Sequence, residues 1–274
     1  MKHIVCYSGG HSSAIVAIEA VRKYGKENVV LVNHDINSNV ELPDVKRFKQ
    51  EVAAYLGLEI VYANIQDLHS ENLPDQFDVV IKAKAFKVGN GSELCTSRLK
   101  TEPFINYLNV NFPNKDCVIY YGFDANEKDR IQRRSSILAL MGYKTDYPLA
   151  LWPESERTIT QTIQIGINPP AQYDTFKHAN CIGCLKAGRQ HWYIVYCLRP
   201  DIFEKAKSAE EIIGYSIDKD FYLEEMEDSF YLMKVLDIPQ TEHIKHQKFW
   251  ATVRKAGINL PEDAKSKKPC ECVF

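Results

Sequence analysis

The feature that most constrains this chain is its N-terminal end. The apolar run His3 to Tyr7 passes through Ser8-Gly9-Gly10-His11-Ser12-Ser13 into Ala14, Ile15, Ala17, Ile18 and Val21, which recur at helical spacing up to a stop at Gly25. A buried strand, a glycine turn and a helix in that order make a device for holding phosphate. The glycines let the backbone approach an anion in conformations closed to other residues. The first N–H groups of the helix and the positive end of its dipole face the charge. Ser8, Ser12 and Ser13 add hydroxyl donors. The loop is not a Walker loop, because the Gly-Lys-Ser/Thr ending is missing.

The pattern continues as alternating strands and helices. Val29 to Asn33, Glu59 to Ala63 and Cys117 to Tyr121 read as strands. Pro43 to Leu56 and Glu127 to Leu140 read as helices, the first with Val45, Phe48, Val52 and Tyr55 on one face. This alternation predicts an α/β domain with a parallel sheet wound by right-handed crossovers, over residues 1–153. Residues 154–200 are dense in aromatic and cysteine residues and are expected to pack on the site. Tyr222 to Leu236 and His243 to Lys255 read as helices within a helical stretch over 201–263. The lysine-rich end, 264–274, reads as a mobile tail closing in Cys270-Glu271-Cys272-Val273-Phe274.

With 274 residues and a net charge of −2, the chain has room for a large α/β core and shows no overall electrostatic grip on nucleic acid. No apolar run approaches the ~20 residues that span a bilayer, and the N-terminus is too short in apolar residues for a secretory signal. A cytoplasmic location is expected, where the eight cysteines stay reduced.

Four segments together resemble the PP-loop of the N-type ATP pyrophosphatases and, more closely, the phosphoadenosine-phosphosulfate (PAPS) reductase family. They are the Ser8–Ser13 loop; Asn33-His34-Asp35-Ile36-Asn37, where that family surrounds the adenosine; Cys95 to Phe104, which looks like its Cys-x-x-x-x-Lys-x-x-Pro-Leu segment; and Gly122 to Glu127 with Arg130 and Arg133 downstream, similar to its Gly-x-Arg-x-x-Glu-x-x-x-Arg stretch. The likeness runs from Lys2 to Tyr196 and is strongest to the branch found in phages and mobile elements. It implies a doubly wound parallel sheet of the adenine nucleotide alpha hydrolase-like (HUP) type with a mainly helical C-terminal extension. It implies nucleotide contacts at Ser8, Gly9, Gly10, His11, Ser12, Ser13, Asp35, Asn37, Gly122 and Glu127, and catalytic roles for Lys100, Arg130, Arg133 and Cys272. Asp35 is expected on the ribose or on Mg²⁺. One departure counts against sulfonucleotide chemistry: Phe123-Asp124 stands where the family carries an arginine, a charge that Lys100, Arg130, Arg133 or Arg134 would have to replace. Arg98 and Lys100 are expected in a Gly/Ser-rich loop.

Cys181-Ile182-Gly183-Cys184 has the spacing of a zinc or iron–sulfur half-site. The resemblance makes Cys95 the next ligand, with Cys270, Cys272, His178 or His191 as a fourth, or an open position. In another register Cys184 matches the first cysteine of the family's pair and Ala187 the second. Cys6, Cys117 and Cys197 read as core residues. The functional expectation is an enzyme that binds ATP with Mg²⁺, and carries a 4Fe-4S cluster or zinc. It cleaves between the α and β phosphates to adenylate a substrate for sulfur transfer. The alternatives are thiol-dependent reduction of a sulfonucleotide to sulfite, with Cys272 as nucleophile, and an inactive nucleotide-binding regulatory module. The partner classes are the small-molecule nucleotide, a nucleic-acid acceptor or thiol reductant, and a second copy in a homodimer, with no membrane.

Overall fold

The computed structural model describes residues 1–64, 72–89 and 93–261. The expected tail, with Cys270 and Cys272, lies outside them. Strand β1 (Lys2–Cys6) leads into helix α1 (His11–Tyr24), β2 (Val29–Asn33), α2 (Pro43–Leu56), β3 (Ile60–Tyr62) and α3 (Gln76–Ala83). Helix α4 (Leu94–Thr96) runs through a π-helical turn at Ser97–Thr101 into α5 (Glu102–Asn111). Then come β4 (Cys117–Tyr120), α6 (Lys128–Leu140), β5 (Lys144–Asp146) and α7 (Pro148–Leu151). Beyond α7 the described residues are helical or turn-like, with α8 (Arg189–Leu198), α9 (Pro200–Ile213), α10 (Leu223–Val235) and α11 (His246–Lys255) as the longer helices.

The strands form one parallel sheet in the order β3-β2-β1-β4-β5. Val5 sits opposite Leu31 of β2 and Tyr120 of β4, which puts β1 at the centre. Both faces are covered, as a parallel sheet requires. Val5, Tyr7, Leu31 and Tyr120 pack with Val16 and Ala17 of α1 and Phe48 and Val52 of α2. Ile4, Cys6, Val32 and Ile119, which alternate with them, pack with Phe104 and Leu108 of α5 and Leu138 of α6. A separate core gathers Trp192, Phe203, Phe230 and Trp250 from α8 to α11 against Phe77 of α3.

One sequence expectation is corrected. Lys100 and Arg98 stand in the π turn, not in a loop. No glycine or proline interrupts Leu94 to Glu102, and Pro103 falls in the first turn of α5, where its missing N–H costs nothing. Cys197 is half-buried on α8 and packs against the core of α8 to α11. Strand β5 was not expected, because Lys-Thr-Asp carries no apolar signal; pairing with β4 makes it a strand. Among the described residues no helix is long and apolar enough to cross a membrane.

Residues 158–159 are strapped to α1 through Glu19. Its buried carboxylate accepts from the Thr158 N–H and hydroxyl, the Ile159 N–H and Arg22. Burial opposes its charge, but these donors outweigh it and hold the carboxyl below its usual range.

Glu210 closes the turn from α9 to α10, accepting from the N–H groups of Ile217 (2.6 Å) and Leu223 (2.7 Å). Here burial wins over both donors, and the carboxyl is pushed up to about 7. The folded state therefore holds this proton more tightly than the unfolded chain. The resulting stabilisation is complete below the unfolded value, about 4.3, and is lost as pH rises through about 7. We expect the melting temperature to fall across that window by a component that Glu210→Gln lacks. Parallel curves for the two proteins in a pH series of thermal melts would contradict this.

Candidate functional site

The strand order reverses at β1 and β4: the chain leaves β1 toward β2 on one side and β4 toward β5 on the other. An open α/β sheet leaves a crevice at the carboxyl ends of such a pair. The Ser8–Ser13 loop follows β1, and the loop of Gly122 and Phe123 follows β4.

The first loop is glycine-built for two separate reasons. Gly9 has φ +82°, and a Cβ there would lie 2.4 Å from Cε of Lys49. Gly10 is the N-cap of α1 and supplies no side-chain cap, and the first turn of α1 carries no carboxylate. The His11 N–H is taken by the Tyr173 hydroxyl at 3.0 Å. The Ser12 and Ser13 N–H groups have no intrahelical acceptor, and the Ala14 N–H closes the turn on the Gly10 carbonyl at 3.1 Å. Ser8 donates to Ser13 Oγ (3.2 Å), which donates to the Gly10 carbonyl (2.8 Å), so these two hydroxyls shape the loop. Ser12 is exposed at the mouth. His11 accepts from the Thr162 N–H at Nε2, and burial keeps it in the neutral form by lowering its pKa.

The second loop touches the first backbone to backbone. A Cβ on Gly122 would lie 2.9 Å from the Ser12 carbonyl carbon and 2.9 Å from the Ser13 nitrogen. Glu127 accepts from the Asp124 N–H at 3.0 Å and is ion-paired with Arg130. The Arg130 guanidinium stacks 4.3 Å from the centre of the Phe123 ring. Its Nε and one Nη are buried without a hydrogen-bond partner among the described residues. Burial, then the charges of Arg133 and Arg134, lower its pKa to about 10, which leaves it cationic at neutral pH.

Between the loops lies a cleft of about 230 Å³. It is lined by the β1 loop, Asn33 at the end of β2 and His34 after it, Lys100 from the π turn, Phe123, Asp124, Glu127 and Arg130, Tyr173 and residues 178–181. Ser8, Gly10, His11, Ser12, Ser13, Lys100, Gly122, Glu127, Arg130 and Cys181 thus share one cavity. Asp35 and Asn37 do not line it. Asp35 is paired with Lys46 at 2.6 Å, and Asn37 holds its own turn by accepting from the Asn39 N–H. Arg133 lines a neighbouring hollow.

Sequence reading named the segment that holds His34 without singling that residue out, and missed Glu41 and Lys49. His34 and Glu41 line the cleft, and buried Lys49 braces it, pairing with Glu41 at 2.7 Å beneath Gly9. The available signal was a lysine on the apolar face of α2, beside Phe48. Burial, then the charges of Lys100 and Lys49, hold the His34 pKa well below its ordinary value. It faces the cleft as a neutral ring.

The Cys181–Cys184 turn is pinned by the Ile182 N–H on the Val40 carbonyl (2.8 Å) and by Gln76 on the Ile182 carbonyl (2.8 Å). Cys95, Cys181 and Cys184 are close enough to influence one another's ionisation. Burial pushes the Cys95 thiol up to about 11 and that of Cys184 to about 12, and raises Cys181 as well. A metal would have to displace protons from all three. Among the described residues no group of three or more His, Cys, Asp or Glu side chains is arranged to hold an ion.

No family model, curated protein or solved structure matches this chain.

Proposed function

We propose that this chain is an enzyme of PP-loop type, of the PAPS reductase-like kind, that binds an adenine nucleotide in the cleft between β1 and β4. The proposed fold is of the adenine nucleotide alpha hydrolase-like (HUP) class, with the helices after α7 as a C-terminal extension. The phosphates rest on the first turn of α1, and the base and ribose extend toward Asn33 and His34. A substrate oxygen attacks the α-phosphorus of ATP. The bond from that phosphorus to the bridging oxygen breaks, and pyrophosphate leaves with the electron pair. The N–H groups behind Gly10 hold the leaving group, while Lys100 and Arg130 stabilise charge on the transferring phosphoryl oxygens. The adenylated substrate is then open to displacement by sulfur or nitrogen. Magnesium accompanies the nucleotide.

The observation that carries this reading is the carboxylate-free start of α1, whose N-cap glycine supplies no side chain, at the strand-order reversal, reached by a backbone that excludes side chains at Gly9 and Gly122. Sulfonucleotide reduction rests on Cys272, outside the described residues. Of the described cysteines, Cys181 lines the cleft, and its raised pKa disfavours the attacking thiolate.

Titration calorimetry with Mg²⁺ and ATP tests the proposal. The wild-type protein is expected to bind. Gly10→Val combined with Ser12→Ala should weaken binding about a hundredfold or more, by crowding Tyr173 over the loop and removing the exposed hydroxyl. Equal affinity in the two proteins would refute the phosphate loop. Pyrophosphate release in a single turnover separates α,β-cleavage from sulfite-producing reduction and from binding without turnover.

A further inference from the structure

A second hollow, of about 180 Å³, adjoins the first and shares Phe123 and Arg130 with it. One wall is the π turn and its flanks, which supply the hydroxyl-bearing residues Thr96, Ser97 and Thr101. The other is α6, which supplies Arg133 and Arg134, and Lys186 closes one end. Arg130, Arg133 and Arg134 fall within one helical turn, so three like charges crowd one side of the hollow. The lining residues carry four cationic side chains, Arg130, Arg133, Arg134 and Lys186, and one carboxylate, Glu93. Glu127 pairs with Arg130, and Glu93 pairs with Lys186 at 2.9 Å. Arg134 has no ion pair among the described residues. Its guanidinium stands 5.8 Å from the Tyr121 ring.

We propose that this hollow binds a phosphate- or sulfate-class group belonging to the second substrate, beside the nucleotide. Guanidinium forks suit tetrahedral oxyanions. An anion there would relieve the repulsion from Arg133 and Arg134 that adds to burial in lowering the Arg130 pKa. The shared wall would hold the two ligands side by side, so an acceptor anchored in the hollow presents its reacting atom to the nucleotide cleft. Anion binding by the hollow stands on its own residues; its service as the acceptor subsite rests on the proposed nucleotide site.

The test uses the full chain. ATP affinity is measured first by calorimetry. Then, with ATP saturating, two probes are titrated: inorganic sulfate, and a short fluorescein-labelled oligothymidylate followed by anisotropy. Arg134→Gln is expected to weaken the responding probe about tenfold, Arg134→Lys to keep most of the affinity, and both to bind ATP as the wild type does. A response to sulfate supports a small anionic substrate. A response confined to the oligothymidylate supports a phosphodiester strand, and the log–log salt slope should then fall by roughly 0.7 in Arg134→Gln. If neither probe binds, or if binding is indifferent to Arg134 in a variant that melts like the wild type, the proposal is overturned. If ATP fails to bind, the nucleotide reading fails separately, and the probes are titrated on the free protein with the Gly10→Val/Ser12→Ala variant as the control for the first loop.

Discussion

Gly122→Val is expected to lower ATP affinity about a hundredfold or more, roughly 2.7 kcal/mol, in calorimetry. The reason is geometric. Any Cβ at this position falls 2.9 Å from two main-chain atoms of the α1 start, the Ser12 carbonyl carbon and the Ser13 nitrogen. Flexible side chains can rotate out of such a contact, but two main-chain segments cannot. One of the two loops must move, and the N–H groups of the first turn move with respect to Lys100 and Arg130. The sheet itself need not change, because Gly122 lies beyond the last residue of β4. The expected protein therefore keeps most of its melting temperature while losing nucleotide. Wild-type affinity would show that the β4 loop takes no part in the site.

The second large effect is on stability. Lys49→Met should cost about 3 kcal/mol, near the lower end of the roughly 3–5 kcal/mol seen when one partner of a buried pair is removed. The Lys49 side chain is 1% exposed and that of Glu41 6%, at 2.7 Å. Methionine can replace the aliphatic stem beside Gly9 but leaves Glu41 with Lys46 at 3.7 Å as its remaining cation. Compensation is therefore partial, which places the cost at the low end. For a chain of this size it corresponds to a fall in melting temperature of roughly 6–12 °C. Adding Glu41→Gln should recover part of the loss, because the charge left behind is then gone. Additive losses in the double variant would mean that the pair is not coupled and that packing alone carries the effect.

Much of the fold was legible because its signals are local. The strand signal at Val29–Asn33 and the helix signal at Pro43–Leu56 depend on apolar spacing within a single element, and both have the expected bounds. The polar β5 and the run through Leu94–Asn111 were not legible. The first exists through its partner strand, and the second through Leu94, Phe104 and Leu108, which are buried against other elements. Half of the candidate site was readable in the same way. A glycine-rich turn between strand and helix, and cysteines at a fixed spacing, can be picked out from a few neighbouring residues.

Assignments that depend on neighbours behaved differently. Asp35 and His34 are adjacent in the chain, but only His34 lines the cleft, because Lys46 on the next helix draws Asp35 away. Arg130 and Arg133 sit three residues apart on α6 and line different hollows. By itself the sequence determined the strand-turn-helix device, the α/β alternation and the Cys181–Cys184 spacing, because each rests on contacts within a few residues. The tertiary structure alone decided the strand order that opens the crevice, the abutment of Gly122 on the start of α1 and the buried Lys49 beneath Gly9. It also decided the burial that keeps three neighbouring thiols protonated. Each of these depends on packing between segments far apart in the chain, where burial and through-space charge set the outcome.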